Sequence, residues 1–153
     1  MPDLLVNLLK LPTLPSSANE NVIIRRAQPF ELSAVRSFIK LNFSTSWADE
    51  VQAGFSNKPV SVFIAISNQE PIGFSAYECT RRGFFGPTGV VESARGKGVG
   101  KALLLASLWG LRELGYVYGI IGGVGPVHFY QNICGAIVIP DSEPGIYTDL
   151  LKP

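Results

Sequence analysis

Apolar residues along the 153-residue chain recur in short blocks whose spacing switches between strand-like and helix-like periods, and this sets out an order of elements. Val22 to Arg26 is a β-rich run. Pro29-Phe30-Glu31 then opens a helical pattern carried by Phe30, Ala34, Val35, Phe38 and Ile39, with the proline where a first turn tolerates it. Trp47 to Phe55 predicts a second, short helix. Val60 to Ile66 and Ile72 to Tyr77 read as strands joined through Ser67-Asn68-Gln69-Glu70-Pro71, and Phe84 to Glu92 as a further strand. Gly98 to Leu114 is strongly helical and apolar on most sides, with Lys101 and Arg112 on one face and Gly115 as a stop, so it should lie on a sheet. Tyr116 to Ile121 predicts a buried strand, Val127 to Ile133 a short helix, and Ala136 to Ile139 and Ile146 to Leu150 two last strands. The resulting order, β-α-α-β-β-β-α-β-α-β-β, predicts a mixed α/β sheet.

At 46% hydrophobic and 16% charged residues, the composition excludes disorder as the main state. Mean hydropathy is positive, +0.24, yet no stretch approaches the roughly 18 to 20 apolar residues that span a bilayer, so the apolar content is core. A net charge of +1 gives no ground for a nucleic-acid or membrane partner; any basic site must be local. Two cysteines, Cys79 and Cys134, are too few for a disulfide framework and read as reduced and structural. The N-terminus begins Pro2-Asp3 after the methionine, without basic residues or a cleavage site, and a cytoplasmic address is expected.

No internal repeat divides the chain. The expected organisation is an N-terminal appendage and linker over residues 1–20, its linker Pro12-Thr13-Leu14-Pro15-Ser16-Ser17, followed by one domain over residues 21–153. Leu4 to Leu11 is too apolar for a free tail: an edge strand, a helix and a cover for a partner subunit remain open.

Arg95-Gly96-Lys97-Gly98-Val99-Gly100-Lys101 lies between a strand and the long helix. Glycines let an anion approach exposed backbone N–H groups at a helix start, where the dipole favours it, and Arg95, Lys97 and Lys101 can add charge. A nucleoside-triphosphate P-loop would need glycine at position 95 and Ser or Thr at 102, where Arg95 and Ala102 stand. A dinucleotide G-x-G-x-x-G starting at Gly96 would need glycine where Lys101 stands. What remains is R-x-x-G-x-G at Arg95, Gly98 and Gly100. This spacing resembles the pyrophosphate-binding motif of the GNAT superfamily of acyl-CoA-dependent N-acyltransferases. The flanking strand, the long helix, the next strand and a short helix carrying Phe129-Tyr130 follow in that family's order, so the resemblance covers about residues 22 to 151.

The resemblance implies an α/β (α+β) fold with a mostly antiparallel sheet of six to seven strands, two central parallel strands splayed apart, and about four flanking helices. It implies that acetyl-CoA is the cosubstrate, without a metal, its pantetheine arm bonding backbone at Val90 and Val91. Its pyrophosphate would rest on the amides of Gly96, Lys97, Gly98, Val99, Gly100 and Lys101, beside Arg95. The implied reaction is direct attack of an acceptor amine on the thioester, with Tyr130 matching the family's acid for the departing thiolate. Glu92 and Glu78 are the candidate bases. Phe43, Trp47, Asp49, Glu50 and the Asp141 to Gly145 turn would shape the acceptor pocket, and Ile121-Gly122-Gly123-Val124-Gly125-Pro126 would leave room beside it. His128, the one histidine, lacks companion ligands for a metal, and Cys134 reads as packing.

The expected activity is acetyl transfer to a primary amine of a small molecule or peptide, with no nucleic-acid or membrane partner and with homodimerisation as the family's common habit. The alternative is a non-catalytic acyl-CoA-binding sensor or regulatory module of the same fold. Retained Tyr130 and the carboxylates favour catalysis.

Overall fold

The computed structural model describes residues 1–15 and 21–152. Seven strands form one sheet: β1 (Leu4–Asn7), β2 (Ile23–Arg26), β3 (Val62–Ser67), β4 (Glu70–Tyr77), β5 (Phe84–Val90), β6 (Tyr118–Ile121) and β7 (Ile137–Val138). Their spatial order is β2-β3-β4-β5-β6-β1-β7. Four α-helices accompany them: α1 (Leu32–Asn42), α2 (Thr45–Gln52), α3 (Val99–Glu113) and α4 (Val127–Cys134). Every strand pair is antiparallel except β5 and β6, so the expected mostly antiparallel sheet with a central parallel pair is what forms.

Alternation along the strands sends side chains to two cores. Val62 and Ile64 of β3 with Phe74 and Ala76 of β4 meet α1 and α2 through Val35, Ile39, Ala48 and Val51. On the other face Ala65 packs against Val99 and Leu103 of α3. Tyr77, Phe85 and Ile121 meet Leu104, Leu108 and Leu111 of α3 and Tyr130 of α4. Each leucine of α3 taken fully out of water stabilises the fold by about 2 kcal/mol, which is why a helix apolar on most sides ends up lying on the sheet. Ser107, its one buried hydroxyl residue, shares a 2.7 Å bond with Ser75 of β4.

The structure changes the expected outline in several places. Residues 4–7, assigned to the appendage, form β1, which lies inside the sheet between β6 and β7 rather than at its edge. Leu4, Val6 and Leu8 are fully buried there, so the apolar run is core of this domain. The linker assignment at Ser16 and Ser17 lies outside the described residues. The connection between β3 and β4 tightens to Asn68-Gln69, both at positive φ (51° and 65°), a two-residue hairpin geometry that lets Glu70 and Pro71 join β4. Helix α2 starts earlier than Trp47 because the Ser44 hydroxyl accepts the Trp47 N–H at 3.1 Å. β5 stops at Val90, and Glu92 opens a short 3-10 turn instead of ending the strand. The predicted strand at Ile146 to Leu150 does not form. Ile146 and Tyr147 follow a turn in which Tyr147 N–H bonds Pro144 carbonyl at 3.0 Å, and the segment goes to the pocket described below. Among the described residues no helix is long and apolar enough to cross a membrane, and no three His, Cys, Asp or Glu side chains are grouped to hold a metal ion.

Candidate active site

β5 and β6 pair only at Phe84↔Ile120 and Phe85↔Ile121, then part. β5 runs on to Val90 still bonded to β4, whereas β6 has ended, so the later residues of β5 have an open side. Val91 spends its N–H on Ile72 of the β4 side at 2.9 Å, and its carbonyl accepts the Ala94 N–H. Alternation of strand amides then turns Val90 the opposite way, and its carbonyl accepts Arg95 Nε at 3.2 Å. Of the two expected backbone partners, Val90 therefore faces the opening and Val91 is bound elsewhere. At Gly89 an added Cβ would lie 2.5 Å from the Phe43 ring, so only a side-chain-free residue lets β5 sit this close to the aromatic group beneath it. That group, Phe38, Phe43, Trp47 and Phe74, is joined by ring contacts 5.4 to 6.1 Å between centroids and supports the strand from below.

The opening leads to the start of α3. Gly96 and Gly98 both adopt positive φ, 78° and 80°, where an L side chain would cost roughly 1 kcal/mol or more. Gly98 is the N-cap; its carbonyl accepts the first helical bond from Ala102 at 3.1 Å, and no side chain caps the helix. The amides of the first turn thus have no intrahelical acceptor, with the positive end of a 15-residue helix behind them. Arg95, Lys97 and Lys101 are exposed, and among the described residues none pairs with a carboxylate. Backbone donors and three cations without carboxylate partners thus meet at the start of α3, an arrangement that favours an anion.

Between the parted strands runs a cleft of about 590 Å³ floored by Thr88, Gly89 and Val90, with Arg95 and Gly100 at one end and Phe129 and Tyr130 along its side. Tyr130 of α4 is 6% exposed and packs edge-on to Phe85 and Phe129, at 6.2 and 5.1 Å. Burial pushes its phenol up to about 12, with the Cys134 thiol adding to the shift. Burial also pushes Cys134 up to about 11, and its thiol donates to the Tyr130 carbonyl at 3.2 Å, which fits a packing residue. His128 is exposed on the same helix.

The cleft continues past Phe85, Gly86 and Pro87 into a second space of about 570 Å³. Glu50 and Trp47 of α2, Thr80, Pro144 and Tyr147 wall it. Glu50 is half-buried and accepts a short bond from the Thr80 hydroxyl. Tyr147 stands over the glycine segment, where a Cβ at Gly122 would lie 2.9 Å from its hydroxyl, and burial raises its pKa, helped by the charges of Glu50 and Asp3. Asp3 fastens this wall: its carboxylate accepts the Gly123 N–H at 2.8 Å, and its N–H donates to the Ser142 hydroxyl at 2.9 Å.

Of the expected site residues, Val90, Arg95, Gly100 and Tyr130 line the cleft together, and neither candidate base does. Glu78, at φ 59°, accepts the Gly83 N–H at 2.6 Å and the Tyr116 hydroxyl at 2.9 Å, bracing the turn between β4 and β5. Glu92 is exposed in the 3-10 turn, and neither residue lines the cleft or the adjoining pocket. Asp49 is held outside by Arg36 at 2.7 Å. Glu50 alone of the carboxylates named from sequence lines the pocket. Thr80 and Tyr147 carry no motif, and the sequence around Tyr147 has the pattern of a strand, so neither is marked by the sequence.

No family model matches the chain, and no curated protein matches it. Solved structures do. A GCN5-related glucosamine N-acetyltransferase region of a fungal multi-domain GH3 β-N-acetylglucosaminidase superposes with a TM-score of 0.73 at 18% identity, over 90% of this chain and 19% of that one. A GCN5-related N-acetyltransferase from Sphaerobacter thermophilus gives 0.72 at 19% identity, over 90% and 48%. A GNAT family acetyltransferase from Brucella melitensis, solved in complex with acetyl-CoA, gives 0.60 at 18% identity, over 79% and 88%. The chain spans less than half the length of the first two. The shared architecture is the GNAT fold.

Proposed function

We propose that this protein is an N-acetyltransferase that moves the acetyl group of acetyl-CoA to a primary amine of a small molecule or peptide. The observation that carries the reading is one cleft in which an open strand edge, an uncapped cationic helix start and a proton-bearing phenol converge. The residues fit the cosubstrate: free first-turn amides and three unpaired cations suit a diphosphate, and the narrow channel between parted strands suits an extended arm bearing amides.

Acetyl-CoA, when bound, supplies an activated thioester. The amides from Gly96 to Lys101 hold its phosphates, with Arg95, Lys97 and Lys101 neutralising charge. Val90, whose carbonyl accepts Arg95 Nε, offers its outward N–H to the pantetheine arm. The ammonium first gives a proton to water. As the neutral amine's C–N bond forms and the C–S bond breaks, Tyr130, whose phenol is pushed up to about 12 and is protonated at neutral pH, donates its proton to the sulfur and recovers one from the nitrogen that becomes the amide. The pocket beyond Pro87 admits the amine to the far side of the thioester.

The test is a calorimetric titration with acetyl-CoA, with ATP and NADH as controls, followed by a free-thiol assay over a panel of amines. Micromolar binding of acetyl-CoA alone and thiol release with an amine are expected. Binding without thiol release by any amine would assign the protein to acyl-CoA sensing. Failure to bind acetyl-CoA would end both readings.

A further inference from the structure

The pocket beside the cleft has a composition that selects among amines. Its walls are mainly apolar, with Trp47 on one side and Met1, Phe85, Pro87, Pro144 and Tyr147 around the rest, while glycines form the side toward β6. Among the described residues lining it, Glu50 is the one carboxylate and no lysine or arginine appears. The Thr80 hydroxyl holds one Glu50 oxygen, Oε2, which orients the carboxylate and leaves Oε1 for another donor. Glu143, the next acidic residue along the turn, is engaged by the Met1 ammonium, and Asp3 by the Gly123 N–H. Arg81 adds positive potential near Tyr147, which further limits how much cationic charge the pocket tolerates.

Resting on the acetyl-transfer reading above, we propose that this pocket selects a primary amine with a single positive charge on a flat apolar body, its ammonium received by Glu50. One half-buried carboxylate balances one ammonium. A polyamine would bring further charges against Trp47, Pro144 and Tyr147, where nothing answers them, and each unpaired charge taken from water is costly. A sugar amine would bring several hydroxyls to walls whose side-chain hydroxyls are those of Thr80, already given to Glu50, and Tyr147, and the lost hydration works against it in the same way. An aromatic or branched aliphatic body instead gains from burial against the Trp47 and Tyr147 rings. Glu50 is thus a specificity-determining residue, distinct from the candidate bases Glu78 and Glu92.

The experiment uses the full chain saturated with CoA, titrated calorimetrically with 2-phenylethylamine, spermidine and glucosamine, and the same amines as acceptors in the thiol assay with acetyl-CoA. The expected result is that 2-phenylethylamine binds and turns over at least tenfold better than either competitor. Glu50→Gln, which keeps an oxygen for Thr80 while removing the charge, should weaken that amine about tenfold with acetyl-CoA affinity within twofold of the parent. Tyr147→Ala should weaken it as well while leaving the Glu50 charge in place. Preference for spermidine or glucosamine, or a Glu50→Gln protein that binds 2-phenylethylamine as the parent does, overturns the proposal. If acetyl-CoA fails to bind the unmodified protein, the acetyl-transfer reading itself falls, and the two failures are thereby told apart.

Discussion

The two ends of the cleft are built from different material. The end at Arg95 to Lys101 is made of backbone: its donors are amides, its shape comes from two glycines at positive φ, and its charge comes from side chains close in sequence. The end at Glu50 is made of side chains drawn from α2, from Thr80 after β4 and from Pro144 and Tyr147 near the end of the described chain. A backbone-built site constrains spacing and residue type at consecutive positions. A side-chain-built site constrains where distant segments meet, which leaves little local pattern and lets the acceptor change while the cosubstrate stays.

Attack on the backbone-built end should have the largest effect. Gly98→Asp places a Cβ at φ 80° and a negative charge beside the helix start and three cations proposed to hold the phosphates. Acetyl-CoA binding should fall by more than 100-fold, read by calorimetry. A thermal melt should drop only by the few degrees that roughly 1 to 2 kcal/mol of local strain implies.

The middle of the cleft should respond in rate rather than affinity. Tyr130→Phe removes a proton donor and leaves the ring packing against Phe85 and Phe129, so kcat should fall about 10- to 100-fold with acetyl-CoA affinity within twofold. Because burial pushes the phenol up to about 12, the neutral, proton-bearing form persists below that value and is lost only as pH rises through it. The pH-rate profile of the parent should therefore show no alkaline fall from this group below about pH 11.

At the side-chain-built end the effects should be smaller and should fall on the acceptor. Thr80→Val removes the donor that orients Glu50, and KM for the amine should rise about fivefold, on the order of 1 kcal/mol, with acetyl-CoA affinity unchanged. The smallest kinetic effects belong to the carboxylates outside the cleft. Glu92→Gln should leave kcat and KM within twofold. Glu78→Ala should do the same while lowering stability by about 1 kcal/mol, since the Gly83 N–H and the Tyr116 hydroxyl lose their acceptor. A rate loss at Glu78 or Glu92 comparable to that at Tyr130 would erase the contrast between the two ends.

The same division explains what could be read from the chain alone. Arg95, Gly98 and Gly100 sit at fixed spacing before an apolar helix, so the fold was legible there, and the spacing also named the proposed phosphate segment and, through the next short helix, Tyr130. β1 was harder, because four residues pairing with β6 across more than a hundred positions carry no local signature beyond apolarity. Ile146 to Leu150 misled for the reverse reason: Ile146 and Tyr147 suit a strand, but tertiary contacts place Tyr147 over Gly122 and Gly123. Glu78 looked available on a strand end, and only the fold shows both its oxygens occupied.

The most direct measurement is calorimetric titration of acetyl-CoA into the unmodified protein and into Gly98→Asp, side by side. Micromolar, one-to-one binding by the first and none by the folded second is the predicted result. Equal binding by both proteins, or none by either, would contradict the assignment of the α3 start as an acyl-CoA phosphate site.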